Sequence, residues 1–311
     1  MEKYIRREKM NNDLTAVKGI KVGHADNQKT GTGCSVILTD VDFTVGAEVR
    51  GGAPGSREFA LTDSRAAVNK ANAVFLTGGS AYGLDAAGGV MQYLKEKNIG
   101  FQTGGGVVPI VPAAVIYDLE YKSSDYPDQK MAYQACVNAD SSAQENKTIG
   151  AAAGSTCGKI RGMENASKTG LGHAACKSGE LIVSALAVVN AFGDLKDPES
   201  GKIIAGAQDQ DGNFVNTEET IINQPEINLG FLRQNTTLIV VATNAFLNKS
   251  EANRVSMMAH SGLSRTIYPV HTLLDGDSVF TLAANQVKAD INQVGILAAR
   301  VVEKAILNSA F

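Results

Sequence analysis

Asn235-Thr236-Thr237-Leu238-Ile239-Val240-Val241-Ala242-Thr243 is the most β-prone run in the chain. An unbroken apolar run rich in β-branched residues, with polar sequence before it, predicts a strand buried on both faces. Leu181 to Asn190 (Leu-Ile-Val-Ser-Ala-Leu-Ala-Val-Val-Asn) predicts a second strand of that kind. Between them, Asp194 to Gln224 is rich in Gly, Asp and Asn and reads as an exposed loop or linker, with a short strand at Lys202 to Gly206. Downstream, Asn248 to Arg265 predicts a helix with Ser250 as its capping residue. Thr266 to His271 and Asp277 to Leu282 flank the tight turn Asp275-Gly276-Asp277, and Gln286 to Leu307 reads as a long amphipathic helix.

Working upstream, Gly19 to Leu38 predicts two strands and a turn, and Asp42 to Val49 a further strand that ends in Arg50-Gly51-Gly52-Ala53-Pro54-Gly55. Arg57 to Lys70 has apolar residues at helical spacing, and Ala73 to Thr77 reads as a buried strand. Gly78-Gly79-Ser80 then leads into a helix over Ala81 to Lys95 with Ser80 near its N-cap. The glycines lack both the GxxxxGK[ST] and the GxGxxG pattern, so a tight turn near a site is favoured over nucleotide binding. Val107 to Leu119 carries Pro109 and Pro112 and reads as an irregular strand near a site. A helix is expected around Gln129 to Asn138. Strands mixed with helices in pairs predict an α/β or α+β class, layered as a sandwich in place of a Rossmann sheet or a TIM barrel.

Composition narrows the function. The chain has 311 residues and a net charge of −3, which offers no electrostatic footprint for nucleic acid or an anionic membrane. No apolar run is long enough to span a bilayer, and Met1 to Met10 lack the apolar core of a signal peptide. Cys34, Cys136, Cys157 and Cys176 show no CxxC spacing, so reduced thiols in a cytoplasmic protein are expected. His24, His173, His260 and His271 form no HExxH pattern; no metal and no cofactor are expected, and His260 reads as structural.

Two features carry chemistry. Asp275 and Asp277 stand either side of Gly276; converging on one point, they would push one carboxyl's pKa up for proton transfer, whereas the simpler reading is a turn with solvated carboxylates. Thr236 heads the buried strand. A threonine hydroxyl needs a base, and an N-terminal threonine supplies its own α-amine, of pKa about 7.7–8.0. Freeing it requires breaking the Asn235–Thr236 bond, which the same hydroxyl can do by an N-to-O acyl shift followed by hydrolysis. From the residues alone that route is permitted, not compelled.

The ordered motifs go further. Val22-Gly23-His24, Arg50 to Gly55, Leu76 to Asp85, Val111 to Asp118, Cys157-Gly158-Lys159, Asn190 to Gly193, Asn235-Thr236-Thr237 and Asp275 to Phe280 together cover nearly the whole chain. In these the chain resembles the N-terminal-nucleophile hydrolases of peptidase family S58, which include L-aminopeptidase/D-esterases, β-aminopeptidases and nylon-oligomer (6-aminohexanoate oligomer) hydrolases. The resemblance implies an αββα four-layer sandwich and one catalytic domain over 1–311, self-cleaved into an α chain, 1–235, and a β chain, 236–311. It implies Thr236 as nucleophile, Asp275 and Asp277 as the acidic pair that orients its amine, and Asn190 as an oxyanion-hole residue. Tyr117 and Lys159 match residues near the reacting centre. Asn-Thr at the cut and Asp-Gly-Asp in the acidic motif resemble the nylon-oligomer branch; the aminopeptidase/esterase branch has Gly-Ser at the cut and Ser and Glu in the acidic motif. Ser278 departs from the Thr expected after the motif. A small amide or peptide substrate and a tetramer of αβ units are implied, with an aminopeptidase, or a member that never cleaves and only binds, as rival readings.

Overall fold

The computed structural model describes residues 10–224 and 235–310, with the side chains of residues 41 and 42 left undescribed. Its main sheet has nine strands: β1 (Ile20–Asn27), β2 (Thr32–Val49), β3 (Ser56–Arg57), β4 (Lys70–Thr77), β5 (Ala113–Val115), β6 (Leu171–Ser178), β7 (Leu181–Asn190), β8 (Thr236–Ala245) and β9 (Ser278–Val287). Their order is β6-β7-β8-β9-β2-β4-β5-β3, with β1 added to β2. Four longer helices pack on it: α1 (Ala87–Glu96), α2 (Gln129–Val137), α3 (Lys249–Ser264) and α4 (Ile291–Leu307).

All ten residues of β8 are buried. Side chains alternate across a strand, so Ile239 and Val241 meet Val255, Ala259, Val294 and Val301 of α3 and α4. Leu238 and Val240 point the other way, into a core shared with Ile37, Val74 and Leu76 from the far half of the sheet. That far half has its own outer layer, where Val36 and Phe75 pack on Val90 and Leu94 of α1 and Ala135 of α2. The expected αββα sandwich is therefore present, and its two β layers are halves of one curled sheet joined through the 18-residue strand β2. Each fully buried Val, Leu or Ile contributes about 1.5–3 kcal/mol, so the doubly covered central strands are the firmest part of the fold.

The topology gathers chain ends at one place. β8 and β9 run parallel through the α3 crossover, with Leu238 opposite Ser278, so both strands begin at the same edge. β7 is antiparallel to β8 and ends there, with Asn190 opposite Thr236. β2 is antiparallel to β9 and also ends there, with Val49 opposite Ser278.

Several local expectations are corrected. Asp42 to Val49 is not a separate strand but the second half of β2, whose pairing with β4 shifts register between Leu38 and Phe43. Arg57 to Lys70 is not a helix: only a short 3-10 turn forms at Phe59–Thr62. Asp63 accepts the Arg65 N–H at 2.8 Å, and the buried Lys249 Nζ ties down the carbonyls of Leu61, Asp63 and Ala66. The helix after Gly79 is broken into Ser80–Gly83, a 3-10 turn and α1, and Ser80 makes no side-chain cap. Asn248, not Ser250, caps α3, in a capping box with Glu251. The last helix starts at Ile291 under Asp290, because β9 runs on to Val287. The supposed linker does hold the short strand expected within Lys202 to Gly206, at Ile203–Ala205, but also a strand at Asp194–Lys196 and a helix at Thr217–Asn223, and the buried Asp194 ties it to the N–H groups of Ala207 and Thr217.

Candidate active site around Thr236

Thr236 opens β8 and is 5% exposed. Its Oγ1 donates to the Asn235 carbonyl oxygen at 2.5 Å. The same oxygen accepts the Gly276 N–H at 2.8 Å. Asn235 and Asp275 form a parallel bridge, so the acidic turn lies alongside the Asn235–Thr236 bond. Glycine is required at 276 by this close approach: a β-carbon there would lie 2.7 Å from Thr236 Oγ1 and 2.8 Å from the Ala53 carbonyl oxygen. The Arg50 to Gly55 loop wraps the turn from outside, with N–H groups of Arg50, Gly52 and Ala53 donating to the carbonyls of Asp277, Thr272 and Asp275. A β-carbon on Gly51 would run into the Asp275 carbonyl.

The two aspartates are buried and differently held. Asp277 Oδ1 accepts the Thr237 N–H at 2.8 Å, and its Oδ2 lies 2.8 Å from His271 Nδ1. Asp275 accepts from Thr272 N–H at 3.0 Å, Thr272 Oγ1 at 2.6 Å and Phe192 N–H at 3.3 Å. Burial, and then the like charge of Asp277, push the Asp275 carboxyl well above the ordinary carboxylate range. The solvated-turn reading of Asp275-Gly276-Asp277 is set aside by this burial.

Asn190 is fully buried on the strand opposite Thr236. Its Nδ2 donates to the Tyr117 carbonyl at 2.9 Å, and its Oδ1 accepts from Lys159 Nζ at 2.8 Å and Thr156 N–H at 3.1 Å. Lys159 reaches it because the N–H groups of Gly158 and Lys159 are stitched to the carbonyls of Gly193 and Phe192 just past β7. Burial pushes the Lys159 ammonium down to about 7, opposed mainly by Asp275. Tyr117 enters through its backbone; its hydroxyl donates to Glu120 at 3.4 Å. The next residue, Asp118, accepts the Gly79 N–H at 2.7 Å, which fixes the Gly78-Gly79-Ser80 turn against this wall.

All six sequence-derived residues thus fall in one neighbourhood, Thr236, Asp275 and Asp277 on one side and Asn190, Lys159 and the Tyr117 backbone on the other. His271, Thr272 and the backbone N–H groups of Gly276 and Phe192 belong to it as well and went unassigned in the sequence. His260, read as structural, is buried with Nε2 3.2 Å from the Glu48 carbonyl. Among the described residues no group of three or more His, Cys, Asp or Glu is placed to hold a metal ion.

Lys159 makes a stability prediction. Its folded pKa lies below the usual 10.5, so the fold penalises its charged form. That cost is full below about pH 7, fades as pH rises to the unfolded value and vanishes above it. Lys159→Met is expected to raise the thermal midpoint by several degrees at pH 6 and by clearly less at pH 9. A gain that grows with pH would contradict the assignment.

The fold is that of the Ntn-hydrolase aminopeptidases. The solved L-aminopeptidase D-Ala-esterase/amidase of Ochrobactrum anthropi, described as a variant of the Ntn-hydrolase fold, matches with a TM-score of 0.68 at 15% identity, over 96% of this chain and 85% of its own. The model of peptidase family S58 matches residues 12–311, and the chain belongs to that family as a hydrolase of amide bonds. An uncharacterized aminopeptidase of Mycobacterium leprae is 39% identical over 297 residues, 89% of this chain and 80% of that protein. A 6-aminohexanoate-oligomer endohydrolase of Kocuria sp. is 27% identical over 313 residues, 94% of this chain and 84% of that protein. No helix among the described residues is long and apolar enough to cross a membrane.

Proposed function

We propose that the chain cleaves itself between Asn235 and Thr236 and then hydrolyses amides with Thr236 as an N-terminal nucleophile. The observation that carries this is the Thr236 hydroxyl beside the Asn235 carbonyl, whose oxygen is already held by the Gly276 N–H. Oγ1 adds to that carbonyl carbon, and the Gly276 N–H meets the charge that develops on its oxygen. The C–N bond breaks as the Thr236 nitrogen takes the hydroxyl proton, and water hydrolyses the resulting ester. The products are the chains 1–235 and 236–311, two parts of one catalytic domain.

In the cleaved enzyme the Thr236 amine takes the proton from Oγ1 as it attacks the substrate amide. The acyl group moves to Oγ1, the leaving amine receives the proton, and water releases the acid. Asp275 and Asp277 hold the amine, Asn190 donates to the oxyanion, and Lys159 and the Tyr117 backbone hold Asn190.

For substrate, we favour 6-aminohexanoate oligomers or related ω-amino amides. The Asn-Thr cut, the Asp-Gly-Asp motif and the likeness to the Kocuria enzyme support this. The second reading is an aminopeptidase acting on small peptides, amides and esters, supported by the higher identity to the mycobacterial protein named an aminopeptidase. Rates on 6-aminohexanoate oligomers against amino-acid p-nitroanilides separate them: faster oligomer cleavage is expected, and turnover of the anilides alone would reverse the choice. A cytoplasmic location and a tetramer of αβ units complete the reading.

A further inference from the structure

His271 has a backbone φ of +57°, in the left-handed region that a β-carbon disfavours. Such strain persists only where the surroundings over-determine it. Here both ends of the residue converge on one carboxylate oxygen. Nδ1 lies 2.8 Å from Asp277 Oδ2, and the His271 N–H donates to the same atom at 3.3 Å. The other oxygen of Asp277 takes the N–H of Thr237, the residue after the nucleophile. The groups facing His271 are Asp277 with its neighbour Asp275, the His260 ring of α3 edge-on at 4.9 Å, and behind His260 the paired Glu48 and Arg50 at the end of β2. Burial lowers His260 to about 4, so it is neutral, and its Nε2 carries the proton donated to the Glu48 carbonyl. His260 therefore brings no charge to the pair.

We propose that His271 is a positioning residue for the Thr236 reaction: its Nδ1–H fixes Asp277 as the ionised member of the aspartate pair and leaves Asp275 as the member that carries the shared proton. Two neighbouring buried carboxylates do not both ionise without cost; each accepts three hydrogen bonds, and of those six donors only the imidazole on Asp277 can take up a positive charge, which breaks the tie. The ionised Asp277, joined to β8 through the Thr237 N–H, then stands one residue from the Thr236 nitrogen, which takes up a proton as the chain splits and is the amine afterwards. This inference rests on Thr236 being the nucleophile.

The test uses the full chain. His271→Gly accepts the left-handed backbone but removes the donor. His271→Asn also tolerates that backbone and puts an amide N–H near the place of Nδ1. Thr236→Ala sets the zero. The rate at which the 236–311 fragment appears is followed by intact mass from pH 5 to pH 9. The Gly variant is expected to split roughly tenfold to a hundredfold more slowly than wild type, part of the ~10²–10⁴ that positioned proton transfer contributes, with a displaced rate–pH curve. The Asn variant is expected to recover most of the rate and the wild-type curve. A Gly variant that splits at the wild-type rate overturns the proposal. So does an Asn variant as slow as the Gly one, since that would make the imidazole a packing element; should the Gly variant fail to fold, His271→Asp, which tolerates the same backbone but offers Asp277 no side-chain donor, takes its place with the same expected loss. A wild-type chain that never splits removes the Thr236 reading and this inference with it; a wild-type chain that splits no faster than the Gly variant removes this inference alone.

Discussion

Thr236→Ala is expected to remain a single 311-residue chain and to lose amide hydrolysis by roughly 10⁴–10⁶-fold, the scale on which removal of a nucleophile acts. Both losses have one cause. The substitution takes away the γ-methyl and the hydroxyl that stands 2.5 Å from the Asn235 carbonyl oxygen, and in the proposed mechanism that hydroxyl serves first on the chain's own peptide bond and then on substrate. The fold should survive, because one buried methyl is worth only about 1 kcal/mol, and the partners of β8 on both sides are unchanged. Thr236→Ser keeps a hydroxyl and is expected to retain both reactions at reduced rate. Intact mass and rates on a 6-aminohexanoate oligomer check the pair of outcomes. Hydrolysis by Thr236→Ala at the wild-type rate would place the nucleophile elsewhere.

Asn190→Ala is expected to lower kcat by about 10²–10³ with little change in KM, the effect of losing an oxyanion donor worth ~2.7–4 kcal/mol. It also strands three buried groups: the Tyr117 carbonyl, the Thr156 N–H and one contact of the Lys159 ammonium. Each unsatisfied group costs about 1–3 kcal/mol, so a lower melting midpoint should accompany the kinetic loss. Asn190→Asp separates the two effects. A carboxylate still accepts from Lys159 and Thr156 but cannot donate, so kcat should fall as far as in the alanine variant while stability falls less. An Asp variant with wild-type kcat would remove the side chain from the oxyanion hole.

Strands and chemistry were legible in this sequence to different depths. β7 and β8 could be read directly, because apolar runs covered on both faces leave an unbroken signal. The curl of the sheet could not, since Leu238 and Ile239 look alike in sequence yet serve different cores. The false helix over Arg57 to Lys70 shows a second limit: its apolar spacing is real, but Lys249, far along the chain, claims three carbonyls there. Asp194 was hidden in polar sequence because its burial depends on Ala207 and Thr217 folding back onto it.

At the site, side chains with a motif around them were found and backbone donors were not. The Gly276 and Phe192 N–H groups carry no side-chain signature, and only the fold shows where they aim. Tyr117 was expected near the reacting centre, and it is its backbone carbonyl, not its hydroxyl, that Asn190 meets. His271 was one of four scattered histidines until the turn before Ser278 brought it back onto Asp277.

The most direct test of the account is the intact mass of purified, active wild-type protein, with the N-terminal residue of each fragment determined. Two chains meeting between Asn235 and Thr236 are expected, with threonine at the head of the smaller. A fully active preparation consisting of one unbroken chain would contradict it.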